Sequence, residues 1–169
     1  MFMTVALSDR DDREVILQVR GLKKVFNSGK NNEVHAIDDI SFDIYRGETL
    51  GLVGESGSGK STTGRALIKL ESITSGTVLY KGKDISEISG KKDIMDFRKS
   101  MQMIFQDPFA SLNPRIPVKN IIGDALRVHK ICQSDEEVNK KVNELLDIVG
   151  IHRSYANRYP TEFSGGQCQ

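Results

Sequence analysis

The sequence predicts an α/β fold, on three observations. A glycine-rich segment, Gly54 to Ser61, stands between a buried-type apolar run and a helical pattern. Up to about residue 110 the apolar residues fall in short, branched-aliphatic blocks, as strands do. From about residue 115 they recur three and four apart, as on a helix face.

In chain order, residues 14–19 (EVILQV) read as a first strand, and the polar, asparagine-rich stretch 27–33 as a loop or hairpin tip. Residues 40–44 (ISFDI) alternate apolar and polar and predict a half-buried strand. Residues 49–53 (TLGLV) read as a fully buried strand leading into the glycine-rich loop. The helix after the loop carries a stripe of Ala66, Leu67 and Leu70. Residues 77–80 (TVLY) predict another strand and 81–93 a polar segment. Residues 101–105 (MQMIF) predict a buried strand ending at Gln106. Pro108, Pro114 and Pro117 then punctuate a loop. Ser134 and Glu137 have capping-box spacing, and Val138, Val142, Leu145, Leu146 and Val149 form the stripe of a helix that Gly150 closes.

Composition removes several functional classes. Lys and Arg number 24 against 23 Asp and Glu, so the basic excess that marks a nucleic-acid footprint is missing. No apolar run approaches the ~18 residues a membrane span needs, so the chain is expected to reach a membrane only through a partner. The first residues lack the basic, then apolar, pattern of a secretory leader. Cys132 and Cys168 have no metal-ligand spacing and read as reduced thiols; His35, His129 and His152 are scattered.

Gly54-Glu55-Ser56-Gly57-Ser58-Gly59-Lys60-Ser61 matches the phosphate-loop pattern GxxxxGK[ST], in the strand-then-helix context that its mechanism needs. The glycines let successive backbone N–H groups face one centre and cradle phosphate oxygens. The helix start adds partial positive charge, Lys60 reaches the outer phosphates, and the Ser61 hydroxyl completes a hydrated Mg²⁺ shell. The segment predicts a nucleoside-triphosphate site. Two later segments narrow its kind: Gln106 in FQDP, and Ser164-Gly165-Gly166-Gln167 in EFSGGQ after the helical part.

In this order the motifs resemble the Q-loop and signature of ATP-binding cassette (ABC) ATPases, over about residues 15–169. GLKKVF, VHAIDDISFDIYRGETLGLVGESGSGKSTTGRALIKL, FQDPFASLNPR and NRYPTEFSGGQ look like the subunits that power oligopeptide and dipeptide import. The resemblance implies an ABC-type P-loop NTPase fold: a mixed sheet around the P-loop helix, an N-terminal antiparallel β part and a helical subdomain. It divides the chain into an extension (1–13), a nucleotide-binding core (14–110), a helical subdomain (111–163) and the signature with the chain end (164–169). It implies ATP and Mg²⁺ as cofactors, with Phe26 stacking on adenine, Gly54 to Thr62 holding the triphosphate, and Ser61 and Gln106 meeting the metal. Lys60 and Gln106 would act in catalysis. Ser164, Gly165, Gly166 and Gln167 would close on the γ-phosphate held by a second cassette in a head-to-tail dimer. Residues 110–118 and the helix at 134–149 would dock onto membrane-spanning permease subunits, placing the protein on the cytoplasmic face of the cell membrane. An extracytoplasmic peptide-binding protein would act indirectly, and no nucleic acid is expected.

The sequence departs from that family in two places. No apolar strand ending in the Walker B Asp-Glu, and no switch His, follows the signature, so motif order predicts a fragment that is inactive by itself. Cys168 stands where the subgroup usually has Arg. The leading expectation is ATP hydrolysis driving peptide uptake. The alternatives are a non-catalytic nucleotide-binding fragment, an importer ATPase for nickel, glutathione or opines, or a cassette working on DNA or ribosomes. FQDPFASLNPR favours transport over the last.

Overall fold

The computed structural model describes residues 13–29 and 31–169. The expected extension (1–13, apart from Arg13), with its reading as no secretory leader, lies outside these residues, as does Lys30. The chain divides between Met103 and Ile104 into two compact units.

The first unit is built on an antiparallel sheet. The long strand β1 (Val15–Phe26) pairs with β2 (Val34–Tyr45) on one side and β3 (Ser75–Tyr80) on the other; the short β4 (Lys83–Asp84) extends β3. These contain the strands expected at 14–19, which starts one residue later at Val15, at 40–44 and at 77–80, and the described residues of the 27–33 stretch lie in the turn between β1 and β2. Leu17 and Val19 of β1 point into the core. A register shift between Val19 and Leu22, with Gly21 at φ 56°, then turns Leu22 and Lys24 inward. An extra residue of this kind exchanges the two faces of a strand. The bulge is held by the Gly21 N–H donating to the Ser41 hydroxyl at 2.8 Å. Across it, Gly76 leaves room for the Gly21 carbonyl, which lies 2.4 Å from where a Cβ would stand.

Ile37, Ile40 and Phe42 of β2 and Val78 of β3 complete the sheet's inner face. Ala66 of α1 (Lys60–Leu67) and Phe97 of α2 (Lys91–Ser100) join the same core. Phe97 meets Tyr80 edge to face, with ring centroids 5.7 Å apart. The polar reading of residues 81–93 overlooks the start of α2, whose apolar contacts come only from Ile94, Phe97 and the following Met101. Leu70 does not continue the α1 stripe. Lys69 adopts φ 57° and its ammonium donates to the carbonyls of Ile85 and Ile88, so the helix ends first and Leu70 is exposed.

Residues 49–53 and 101–105, expected as buried strands, are not strands. Neither joins the four-stranded sheet, and Val53 and Ile104 are 63% and 77% exposed. An extended segment keeps strand structure only when a neighbour pairs its N–H and C=O groups, and no described segment does so here. The ladder present is antiparallel throughout.

In the second unit, α4 (Val118–Val128) and α5 (Asp135–Ile148) pack together, preceded by the single-turn α3 (Pro108–Ser111) and followed by α6 (Gly165–Cys168). Leu126, Val138, Val142, Leu146 and Ala156 form the core. The helices approach closely at Gly123, where a Cβ would stand 3.0 Å from Val138 Cγ1. The Ser134 hydroxyl accepts from the Glu137 N–H, as the capping box predicts. The return half differs: the Glu137 carboxylate accepts from the N–H of Gln133, one residue earlier. Gly150, at φ 73°, ends α5 in a Schellman turn, its N–H donating to Asp147 O and that of Ile151 to Leu146 O. Leu146→Ala should therefore destabilise this unit by about 2–5 kcal/mol, against about 1 kcal/mol for Ser134→Ala. Urea titrations of both variants check the ranking, and equal losses would count against a core centred on Leu146.

Candidate functional site

The glycine-rich loop is fixed by a strand pressed against it. Gly59, the N-cap of α1, has φ 88°, and a Cβ there would fall 1.9 Å from the Ala36 carbonyl oxygen of β2. Only glycine fits both the left-handed backbone and the approach. Gly57 adopts φ 80°, and a Cβ at Gly54 would stand 2.6 Å from the Ser58 hydroxyl. The loop closes on itself through Ser58 N–H to Glu55 O at 3.2 Å, and Thr63 Oγ1 donates to Gly59 O at 2.9 Å. The Lys60 ammonium arches back over it, donating to Gly54 O at 2.7 Å, Glu55 O at 2.6 Å and Ser58 Oγ at 3.3 Å.

Beside the loop is an open cavity of about 820 Å³, lined by Val53, Gly54, Glu55, Gly57 and Ser58 together with His35, Ala36 and Asp38 of β2. These residues fit a triphosphate. The first turn of α1 carries no acidic residue, its N-terminal N–H groups start at the loop, and the Lys60 ammonium lies over the loop, while Glu55 and Asp38 set two acidic residues in the cavity wall. For Mg²⁺ the chain offers the exposed Ser61 hydroxyl, one ligand of the kind this ion uses beside phosphate oxygens and water. Among the described residues no group of three or more His, Cys, Asp or Glu is placed to hold a metal. Lys60 and Ser61 do not line this cavity; they line a separate, smaller hollow with Phe42, Ile44, Leu50 and Leu52. Ser56 is exposed at the turn and Thr62 half-buried in the first turn of α1.

Phe26 ends β1, paired with Val34, one register step from the Val25–His35 pair whose histidine lines the cavity. Its ring is half-buried and does not itself line the cavity. Gln106 and residues 164–167 belong to the second unit. Gln106 is exposed, and Asp107 after it caps α3 by accepting from the N–H groups of Phe109 and Ala110. Ser164 caps α6 reciprocally: its hydroxyl accepts from Gln167 N–H and its N–H donates to Gln167 Oε1 at 3.0 Å. α3 and α6 pack on each other, with Phe109 Cε2 3.8 Å from the Cβ position of Gly165. Cys168 and Cys132 are free thiols, and burial pushes the Cys168 thiol pKa up.

Sequence reasoning missed His35, Ala36, Asp38 and Lys24. The first three lie on a strand whose contact with the loop is a tertiary event without a local pattern. His35 is 2.8 Å from Glu33, whose carboxyl is held below its ordinary pKa by the Gly29 N–H and by that histidine. A bulge glycine was the only signal that could have turned Lys24 inward.

Residues 37–169 match the family profile described as ABC transporter. An oligopeptide transport ATP-binding protein of Bacillus subtilis, OppF, is 51% identical over 156 residues, covering 92% of this chain and 51% of that protein. A glutathione import ATP-binding protein of Salmonella paratyphi A, GsiA, is 51% identical over 162 residues, covering 92% of this chain and 26% of that protein. The chain thus spans about half the length of the first relative and about a quarter of the second. Among solved structures, the ATP-binding cassette MJ0796 bound to ADP and Pi superposes with a TM-score of 0.77 at 24% identity, covering 90% of this chain and 65% of that one. That likeness shows the fold, the ABC-type α/β cassette expected from the motifs. With its loop, helix and trailing signature inside the matched span, the chain belongs to the ABC transporter family.

Proposed function

We propose that these residues are the nucleotide-binding part of an ATPase subunit that energises import of peptides across the cell membrane. The observation that carries this reading is the cradle at Gly54 to Ser61, where Gly59 is locked against β2 and Lys60 is poised over the loop. Of the relatives named above, one is an oligopeptide transport ATP-binding protein and the other a glutathione import ATP-binding protein, glutathione being itself a small peptide. Their equal identity leaves the peptide's length to experiment.

In this reading the loop N–H groups and the start of α1 hold the phosphates, and Lys60 exchanges its carbonyl partners for phosphate oxygens. Mg²⁺, when bound with the nucleotide, would neutralise phosphate charge. Ser61 would hold the metal, Gln106 would serve it as the family resemblance implies, Phe26 would stack on adenine, and Ser164, Gly165, Gly166 and Gln167 would serve the nucleotide of a second cassette. Residues 14–110 form the nucleotide-binding core, and 111–163 a helical subdomain that docks on permease subunits at the cytoplasmic face. No helix among the described residues is long and apolar enough to cross a membrane, which suits attachment through such partners. On this reading the 169 residues by themselves would hold nucleotide without turning it over, since they contain no apolar strand ending in Asp-Glu of the kind that carries the general base in the family.

Lys60→Ala in the full-length protein should abolish productive ATP use, because it removes the charge nearest the transferred phosphoryl group. Steady-state hydrolysis within about twofold of the parent would sink this role, given how strongly such electrostatic groups act. Phe26→Ala should weaken ATP and ADP binding alike by about 1–3 kcal/mol, the scale of base stacking; titration of both nucleotides tests it. The 169-residue chain should release phosphate from Mg-ATP at least about 10²-fold more slowly than a full-length cassette, the usual loss without a general base. Comparable turnover would overturn that expectation.

A further inference from the structure

Lys24 is a buried lysine that the proposed chemistry does not use. It is 7% exposed, on the core side of β1, because the bulge at Gly21 turns it inward. A buried ammonium is costly unless paired, and each of its contacts is specific. It donates to the Ser72 hydroxyl at 3.0 Å, lies 3.6 Å from the Glu71 carboxylate, and stands 4.6 Å from the centroid of the Phe26 ring. Glu71 and Ser72 lie four and five residues past Leu67, the end of the phosphate-loop helix, and the Leu70 and Glu71 N–H groups still donate to Arg65 O in that helix. The same segment is tied to β1 by Thr74 N–H to Lys23 O and Val25 N–H to Thr74 Oγ1.

We propose that Lys24 is a positioning residue for the nucleotide base: it occupies one face of the Phe26 ring, leaves the other for the purine, and sets the ring's place relative to the phosphate-loop helix through Glu71 and Ser72. The proposal rests on the reading that Phe26 stacks on adenine. A cation against one ring face holds it by charge–quadrupole attraction and prevents the base from stacking there.

The test compares ATP, ADP and inorganic tripolyphosphate, which has no base, by equilibrium titration on the full-length chain. Lys24→Met should weaken ATP and ADP about threefold to tenfold, the range a cation–π contact spans. Tripolyphosphate affinity should stay unchanged, and Lys24→Arg, which also stacks on an aromatic face, should restore nucleotide affinity. In a Phe26→Ala background Lys24→Met should have no further effect, as a double-mutant cycle requires of one shared interaction. Should Lys24→Met fail to fold, Ser72→Ala, at an exposed position, should show the same selective loss. Equal losses for ATP and tripolyphosphate, or no loss for ATP while Phe26→Ala weakens it, would overturn the role of Lys24 alone. Unchanged ATP affinity in Phe26→Ala would instead remove the stacking reading beneath it.

Discussion

The carbonyl oxygen of Ala36 lies 1.9 Å from where a side chain at position 59 would begin, and the shape of the glycine-rich loop depends on that approach. It forces glycine at the N-cap of α1, in a left-handed conformation that starts the helix where the loop ends. The same strand then supplies His35, Ala36 and Asp38 to the cavity wall. An antiparallel sheet edge therefore forms the wall of the cavity beside a glycine-rich loop that lies about twenty residues further along. The loop's other internal bonds, from Ser58 to Glu55 and from Thr63 to Gly59, refine a shape that this contact imposes.

The sheet can meet that demand because β1 changes face midway. Before Gly21 its inner positions are Leu17 and Val19; after it they are Leu22 and Lys24. A regular strand would have kept odd positions inside and sent Lys24 to solvent. The bulge instead buries a charge beside Phe26 and obliges the segment after α1 to answer with Glu71 and Ser72. The β part and the phosphate helix are thereby joined by polar contacts as well as by the apolar core.

The helical unit follows more regular physics. Its stripe of Val138, Val142 and Leu146 meets α4 where Gly123 lets the backbones close, and the turn after α5 satisfies its last carbonyls through Gly150 and Ile151. Local rules also cover the α6 cap, where Ser164 and Gln167 exchange hydrogen bonds. Such pairs lie within one turn of each other, so spacing alone reveals them.

What the sequence by itself determined was whatever depends on near neighbours: the α1 start at the glycine-rich loop, the alternation of residues 40–44, the α5 stripe as far as Leu146 with the Ser134 hydroxyl cap and the Gly150 stop, and the motif order that marks the family. Val149, expected on that stripe, falls past the helix end and is 67% exposed. Pairing was decided only in three dimensions. Residues 49–53 and 101–105 have strand-like side chains, yet without a hydrogen-bonded neighbour among the described segments they remain irregular and leave Val53 and Ile104 exposed. Conversely, α2 hides its few apolar residues among charges and folds because Phe97 finds Tyr80 across the core. The burial of Lys24 and the contact of Ala36 with Gly59 are likewise tertiary. Backbone hydrogen-bond partners and bulges couple residues far apart in the chain, so no local pattern encodes them.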